Sequence, residues 1–397
     1  MLYNGGLEVV TPRRSVGRRL RGSIALQWLP TPRVEAHFVL PNPKPQDLHG
    51  AIDLGFTVRP LAPRPSPQRP RYDLTPRSRA KSRQTMHGSC DLATPEFGDG
   101  SALTEIRFHV ANFPLVHGRS IAYDTHLAHA RLAFSWNGWS LMMDQVPMAS
   151  EAEQDLHASG GYRLTHTGSL TRAGGEEFSA DAAQRVMEAF GYLLMFACGA
   201  NCGPLLPVGF GGAGDPAWAY WRTPGVQPWR SRFMWLDKVA GAAQLEALFP
   251  VFMEKWSDPL TEGVLRRVLH YYVASNTPPS VDASMVLAFV ALEILERLTL
   301  PGIRGDADSR LRQMLKQHHV PTEVPRGLRH LLQAKNANYW NDAPKTLAEM
   351  RHRIVHPELQ LPDLPVDARV QGWLLVTWYI ELLLLAVLGY EGRTGTG

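Results

Sequence analysis

The spacing of apolar residues changes character once along the chain, near Ser179. Upstream, short alternating or wholly apolar runs recur between Gly and Pro residues. They are Ser23–Trp28, Val34–Leu40, Ala51–Val58, Thr104–Val110, Leu127–Trp136, Trp139–Met143 and Tyr162–Leu170. Runs of this length and punctuation predict strands. With no helical pattern between them, they predict a β-rich domain, a sandwich or an open barrel. At Ser179 the period becomes helical. A serine N-cap is followed by Ala182, Val186, Phe190, Leu193, Leu194 and Ala197, ending near Gly199. Beyond Val239, helices are predicted over Leu245–Trp256, Leu260–Ser275, Val281–Leu298, Ser309–His318, Arg326–Asn336, Leu347–His356 and Asp367–Leu388. Prolines and glycines separate them. The expected fold is α+β, with an N-terminal β-rich domain followed by a C-terminal all-α antiparallel bundle.

Five segments are expected from these changes. Residues 1–58 form a basic arm and the first strands, and 59–85 a Pro/Arg-rich linker or disordered loop. Residues 86–238 form the β-rich domain with one helix near 179–198, 239–278 connecting helices, and 279–397 the bundle. Gly209 to Gly214 lacks the Gly-Lys-[Ser/Thr] ending of a phosphate-binding loop and reads as a flexible turn. The tryptophans at 218, 221, 229 and 235 read as covers for the core, with a base-stacking platform as the alternative.

Charge and cysteine content narrow the class. Residues 1–89 hold 15 Lys and Arg against 5 Asp and Glu, an excess of 10. The whole chain is only +4, so the remainder is acidic by 6. The arm with Arg13, Arg14, Arg18, Arg19 and Arg21 is either a solvated extension or a contact for nucleic acid or anionic lipid. Three cysteines, Cys90, Cys198 and Cys202, exclude a disulfide framework. Together with the absence of a signal-peptide pattern, they lead us to expect a cytoplasmic protein. Trp373 to Leu388 is almost wholly apolar, but it is short for a span and carries Glu381 at its middle. A buried bundle or dimer helix is expected there, without stable membrane insertion.

The candidate chemistry lies in Met350-Arg351-His352-Arg353-Ile354-Val355-His356-Pro357. At about 100° per residue, Leu347, Met350, Ile354 and Val355 make one apolar arc, and Arg351 falls within it. A guanidinium in such a place calls for an acidic partner or an anionic ligand. Glu293 and Glu381, each in an apolar helix, are the candidate acids. Arg351 and His356 diverge by roughly 140° on one unbroken helix. Pro357 releases His356 from helical geometry, and a two-fold axis would bring a second copy alongside. Such a cleft suits metal-free RNA cleavage, with imidazoles as base and acid and a guanidinium on the phosphate oxygens. Two further readings of the cluster remain. The cations could simply complement a helix C-terminus. His352 and His356 also stand four apart, but no third ligand or intervening Glu accompanies them, so no metal and no cofactor is expected.

On these residues the C-terminal part resembles a HEPN domain, a small helical bundle common in bacterial toxins and antiphage systems. The resemblance rests on Ala291-Leu292-Glu293, on Arg351-His352-x3-His356, and on the apolar last helix. Upstream, Phe108-His109-Val110-Ala111-Asn112-Phe113-Pro114, Phe178-Ser179, Phe249-Pro250 to Trp256, and Tyr271 to Asn276 are similar to ApeA-type defence proteins. The resemblance implies a homodimer with a composite, metal-independent endoribonuclease site directed at tRNA or other structured RNA. Arg351 and His356 would be the site, and His352 would stand where asparagine is most common. A phage-derived trigger would act through the β-rich domain. The alternative is a non-catalytic module that binds RNA or nucleotide, or dimerises.

Overall fold

The computed structural model describes residues 3–10, 18–29, 32–41, 57–60, 76–81, 85–91, 96–123, 126–221, 225–230, 234–277, 280–302, 304–356 and 363–390. Within these the chain is α+β, with sheets in its N-terminal and middle parts and helices in its C-terminal part. It divides into two compact units. One comprises Met1–Asn112, Gly138–Glu188 and Cys202–Trp229; the other comprises Phe113–Asn137, Ala189–Asn201 and Arg230–Gly397.

The first unit contains an antiparallel sheet of β1 (Tyr3–Val10), β2 (Arg18–Gln27), β3 (Arg33–Pro41), β4 (Thr57–Pro60), β5 (Pro76–Lys81) and β6 (Thr85–Asp91), in the order β4-β1-β2-β3-β6-β5. Strand β5 corrects the expectation of a linker over 59–85, because Ser78 to Lys81 pair with β6. It is an edge strand, where proline and long charged side chains are tolerated and no alternating apolar face is needed. Residues 61–75 lie outside the described residues, as do Arg13 and Arg14 of the basic arm and most of the run Ala51–Val58. Arg18 and Arg19 fall in β2, and Arg21 is exposed.

A second sheet in this unit runs β7 (Glu96–Gly98), β14 (Pro216–Tyr220), β13 (Pro204–Phe210), β8 (Glu105–Ala111), β12 (Leu164–Arg172) and β11 (Trp139–Gln145). Alternation is clear in β8, where Ile106, Phe108 and Val110 are buried, and in β11, where Trp139, Leu141 and Met143 are. Gly168 faces Phe108 across the β12–β8 ladder. A Cβ there would come within 2.3 Å of the phenyl ring, so only glycine leaves room for it. The glycine-rich segment expected as a flexible turn is the reversal of the β13–β14 hairpin, closed by the Gly214 amide donating to the Gly211 carbonyl. Helix α1 (Ala149–Ser159) was not expected; it buries only Ala149 and Leu156 and carries too little apolar periodicity to be seen.

Asn112 closes strand β8 in the left-handed region, at φ 57°. Its side-chain amide donates to the carbonyls of Gly161 and Gln227, each at 2.9 Å, and its carbonyl oxygen accepts from the Arg163 amide at 3.0 Å. Asparagine tolerates this backbone and satisfies three otherwise unpaired groups. Trp218 is buried in β14 and donates its indole N–H to Glu96. Trp229 and Trp235 are buried as well, so these three rings cover core.

The second unit holds the hairpin β9 (Arg119–Tyr123) and β10 (His126–Trp136) and most of the helices. Helix α2 (Ala180–Cys198) begins as the sequence suggests, with the Ser179 hydroxyl accepting from the Ala182 amide. After it come α3 (Gly241–Trp256), α4 (Pro259–Ser275), α5 (Val281–Thr299), α6 (Ala307–Gln317), α7 (Arg329–Ala337), α8 (Ala343–Val355) and α9 (Val366–Leu388). Phe134, Phe190 and Phe249 form an aromatic cluster with centroids 5.0 to 6.0 Å apart. Helix α9 is long and apolar enough to cross a membrane by length and composition, with a mean hydropathy of 1.7. Yet 56% of its most apolar window is buried within the fold, so it is packed as a core helix.

Candidate functional site

Helix α8 is fixed at its start before it presents anything at its end. Asp342 is the N-cap, accepting from the Lys345 amide at 2.9 Å, and Pro344 sits in the first turn, where no amide hydrogen is missed. Arg312 of α6 grips the same carboxylate through Nε and Nη2. Burial raises the pKa of Asp342, but these hydrogen bonds outweigh it and hold the group below its ordinary value. Leu347 and Met350 are fully buried, and Gly372 of α9 lies directly against the Met350 thioether.

The apolar arc read from the sequence is narrower in the structure. Ile354 is only half-buried and Val355 is exposed, so Arg351 sits at the border of the buried stripe. Its side chain is 35% exposed. The guanidinium Nη2 lies 3.8 Å from Glu293 Oε1 on α5, a long ion pair, and Nε is buried without a hydrogen-bond partner among the described residues. Donor capacity is therefore left over on Arg351.

Of the two acids considered for Arg351, the structure selects Glu293. Glu381 on α9 is 6% exposed and accepts a 2.7 Å hydrogen bond from the Tyr272 hydroxyl of α4. Burial pushes its pKa up to about 7, with the Tyr272 hydrogen bond acting in the opposite direction. Burial and the neighbouring carboxylate drive the Tyr272 phenol well above its usual range. This pair belongs to the core and supports Arg351 through no direct contact.

At the other end of α8 the helix stops at Val355. His356 is the C-cap at φ −127°, ψ 72°, its amide donating to the His352 carbonyl at 2.7 Å. Both imidazoles are exposed, with ring centroids 5.1 Å apart and planes tilted by 46°. The structure thus brings His352 and His356 together and pairs Arg351 with Glu293, but no hydrogen bond joins Arg351 to either imidazole. Arg353, which the sequence left as a generic terminal cation, anchors the helix end. It donates to Asn338 Oδ1 at 2.7 Å and lies over the Trp340 ring. Among the described residues no group of three or more His, Cys, Asp and Glu is placed to hold a metal ion. Cys198 and Cys202 are both buried.

A feature the sequence did not reveal adjoins Glu293. An open groove of about 670 Å³ runs along the C-terminal end of α5 and the connection to α6, lined by Glu293, Glu296, Arg297, Arg304 and Arg310 among others. Arg310 is committed to Glu296 at 2.6 Å. The signal in the sequence was a pair of arginines seven residues apart across a Pro-Gly turn, which only the fold brings to one groove.

Comparison with known proteins gives a consistent picture. The family model for the YopA central domain matches residues 98–232, and the model for the YopA C-terminal domain matches residues 258–394. These descriptions name neither HEPN nor ApeA-type domains. No solved structure matches the chain. A curated relative, the SPbeta prophage-derived uncharacterized protein YopA of Bacillus subtilis (strain 168), is 28% identical over 304 residues, covering 73% of this chain and 68% of its own length. Over its middle and C-terminal parts, the chain is therefore similar to YopA.

Proposed function

We propose that the helical C-terminal part is a metal-independent endoribonuclease of the HEPN type, acting as a dimer in bacterial antiphage defence. The observation that carries the reading is the end of α8, where Arg351 keeps unused donors beside Glu293 and two exposed imidazoles stand 5.1 Å apart. One imidazole takes the proton of a ribose 2′-hydroxyl as its oxygen attacks phosphorus. The bond from phosphorus to the 5′-oxygen breaks, and a second imidazole protonates that leaving oxygen. Arg351 binds the non-bridging oxygens as their charge grows. Imidazole suits both roles because it titrates near neutrality. A two-fold axis beside α8 would bring two copies of the cluster to one phosphodiester. The β-rich region would restrain the nuclease or sense a phage component. The prophage origin of the YopA relative puts a similar protein in a phage–host setting.

The test is a phage challenge of cells expressing the wild type, Arg351→Ala or His356→Ala, with sequencing of RNA ends. Wild-type cells should accumulate ends with 2′,3′-cyclic phosphate, and neither variant should. Cleavage and growth arrest that persist in both variants would overturn the assignment.

A further inference from the structure

We infer that the groove between the end of α5 and the start of α6 binds the phosphodiester backbone of an RNA strand, as the positioning subsite of the candidate nuclease. This rests on the function proposed above and names the part of the substrate that the groove holds.

The groove's charges do not cancel. Glu296 is neutralised by Arg310, whose second contact is the Gly305 carbonyl at 2.6 Å. Glu293 faces Arg351. Arg297 and Arg304 are exposed and make no hydrogen bond or ion pair among the described residues. Counting Arg351, four guanidiniums thus meet two carboxylates, an excess of two positive charges in a concave site. Arginine donors fit phosphate oxygens in pairs.

The groove and the candidate site share a residue. Glu293 lines the groove and also pairs with Arg351, so a strand lying along Arg297 and Arg304 leads to the guanidinium assigned to the scissile phosphate. The lining contains no aromatic ring on which a base could stack and no Asn or Gln to read a base edge. The groove therefore contributes affinity and register without sequence preference.

The experiment measures anisotropy of a short labelled RNA with the full chain across a salt series. Wild type is compared with Arg297→Ala/Arg304→Ala and with Arg326→Ala/Arg329→Ala, whose arginines are also exposed but lie outside the groove. Losing two single-strand phosphate contacts should make the salt slope shallower by about 1.4 and weaken binding about 25-fold at roughly 0.1 M salt. The control pair carries the same charge change and should bind as the wild type does. Equal binding by the groove variant and the wild type, equal losses in both double variants, or no RNA binding by the wild type overturns the inference. Its fate separates from that of the nuclease. A wild type that binds through the groove but cuts no RNA refutes the proposed function alone. Cutting and binding that survive the groove substitutions refute the inference alone. Arg351→Ala should abolish cutting while making the salt slope shallower by only about 0.7, half the change in the groove variant.

Discussion

Replacing Glu381 by Gln should make the protein more stable at alkaline pH and remove the pH dependence that this carboxyl contributes. The carboxyl is buried between α4 and α9 with its pKa raised from 4.5 to about 7. Its folded pKa lies above its unfolded one, so the native state binds the proton more tightly. This group's contribution to stability is greatest below about pH 4.5 and declines as pH rises through about 7, where the folded group must ionise in the core. A shift of this size corresponds to about 3 kcal/mol in full, most of which falls between pH 5 and pH 8. Glutamine keeps an oxygen to accept from Tyr272 and never ionises. Urea unfolding of wild type and Glu381→Gln at both pH values isolates the effect. The difference in unfolding free energy, variant minus wild type, should rise by roughly 2 to 3 kcal/mol from pH 5 to pH 8. A difference that stays constant, or that falls, refutes the reasoning, because it would mean that the carboxyl is ionised in the folded protein across the whole range.

Two further outcomes follow from the geometry. Asn112→Ala loses three hydrogen bonds and leaves alanine at φ 57°, so urea unfolding should show a loss of roughly 3 to 5 kcal/mol; a loss below about 1 kcal/mol would mean that water replaces the amide without cost. Glu293→Gln removes a long, partly exposed ion pair, so unfolding should change by less than about 0.5 kcal/mol while RNA cleavage falls sharply; unchanged cleavage would remove Glu293 from the site.

How far the fold could be read depended on whether burial was one-sided. Strands β8 and β11 alternate because one face of each is packed, and helices α3 to α5 show their period for the same reason. The missed elements lack that asymmetry. Helix α1 buries two residues, β5 is an edge strand built from Arg, Ser and Lys, and β13 and β14 are interrupted by Pro207, Gly209 and Pro216. The strands among them are held by ladder pairing with β6 or within the β13–β14 hairpin rather than by one buried face, which no apolar period records. Asn112 belongs with them: its three bonds reach residues 161, 163 and 227, and its neighbours alone read as an ordinary strand end.

The candidate site was legible as a requirement and not as a geometry. The sequence shows that Arg351 needs an acidic partner or an anionic ligand, and it offers Glu293 and Glu381 as equal candidate acids because both lie in apolar helices. Helical phase distinguishes them. Glu381 has Thr377, Leu384, Leu385 and Leu388 at neighbouring helical positions, all buried, and no charged residue within a turn of it. Glu293 is followed by Glu296 and Arg297, which mark the polar flank of α5. An acid on a polar flank can meet a cation that sits on the border of another helix, whereas an acid in the core can only meet a core partner, here Tyr272. The same logic revises the position of Arg351 itself. Had it lain wholly inside the apolar arc, a close buried carboxylate would have been needed to hold it, and its donors would have been consumed. On the border, with a partner at 3.8 Å and the side chain 35% exposed, the charge is held in place and its donors are not all consumed among the described residues.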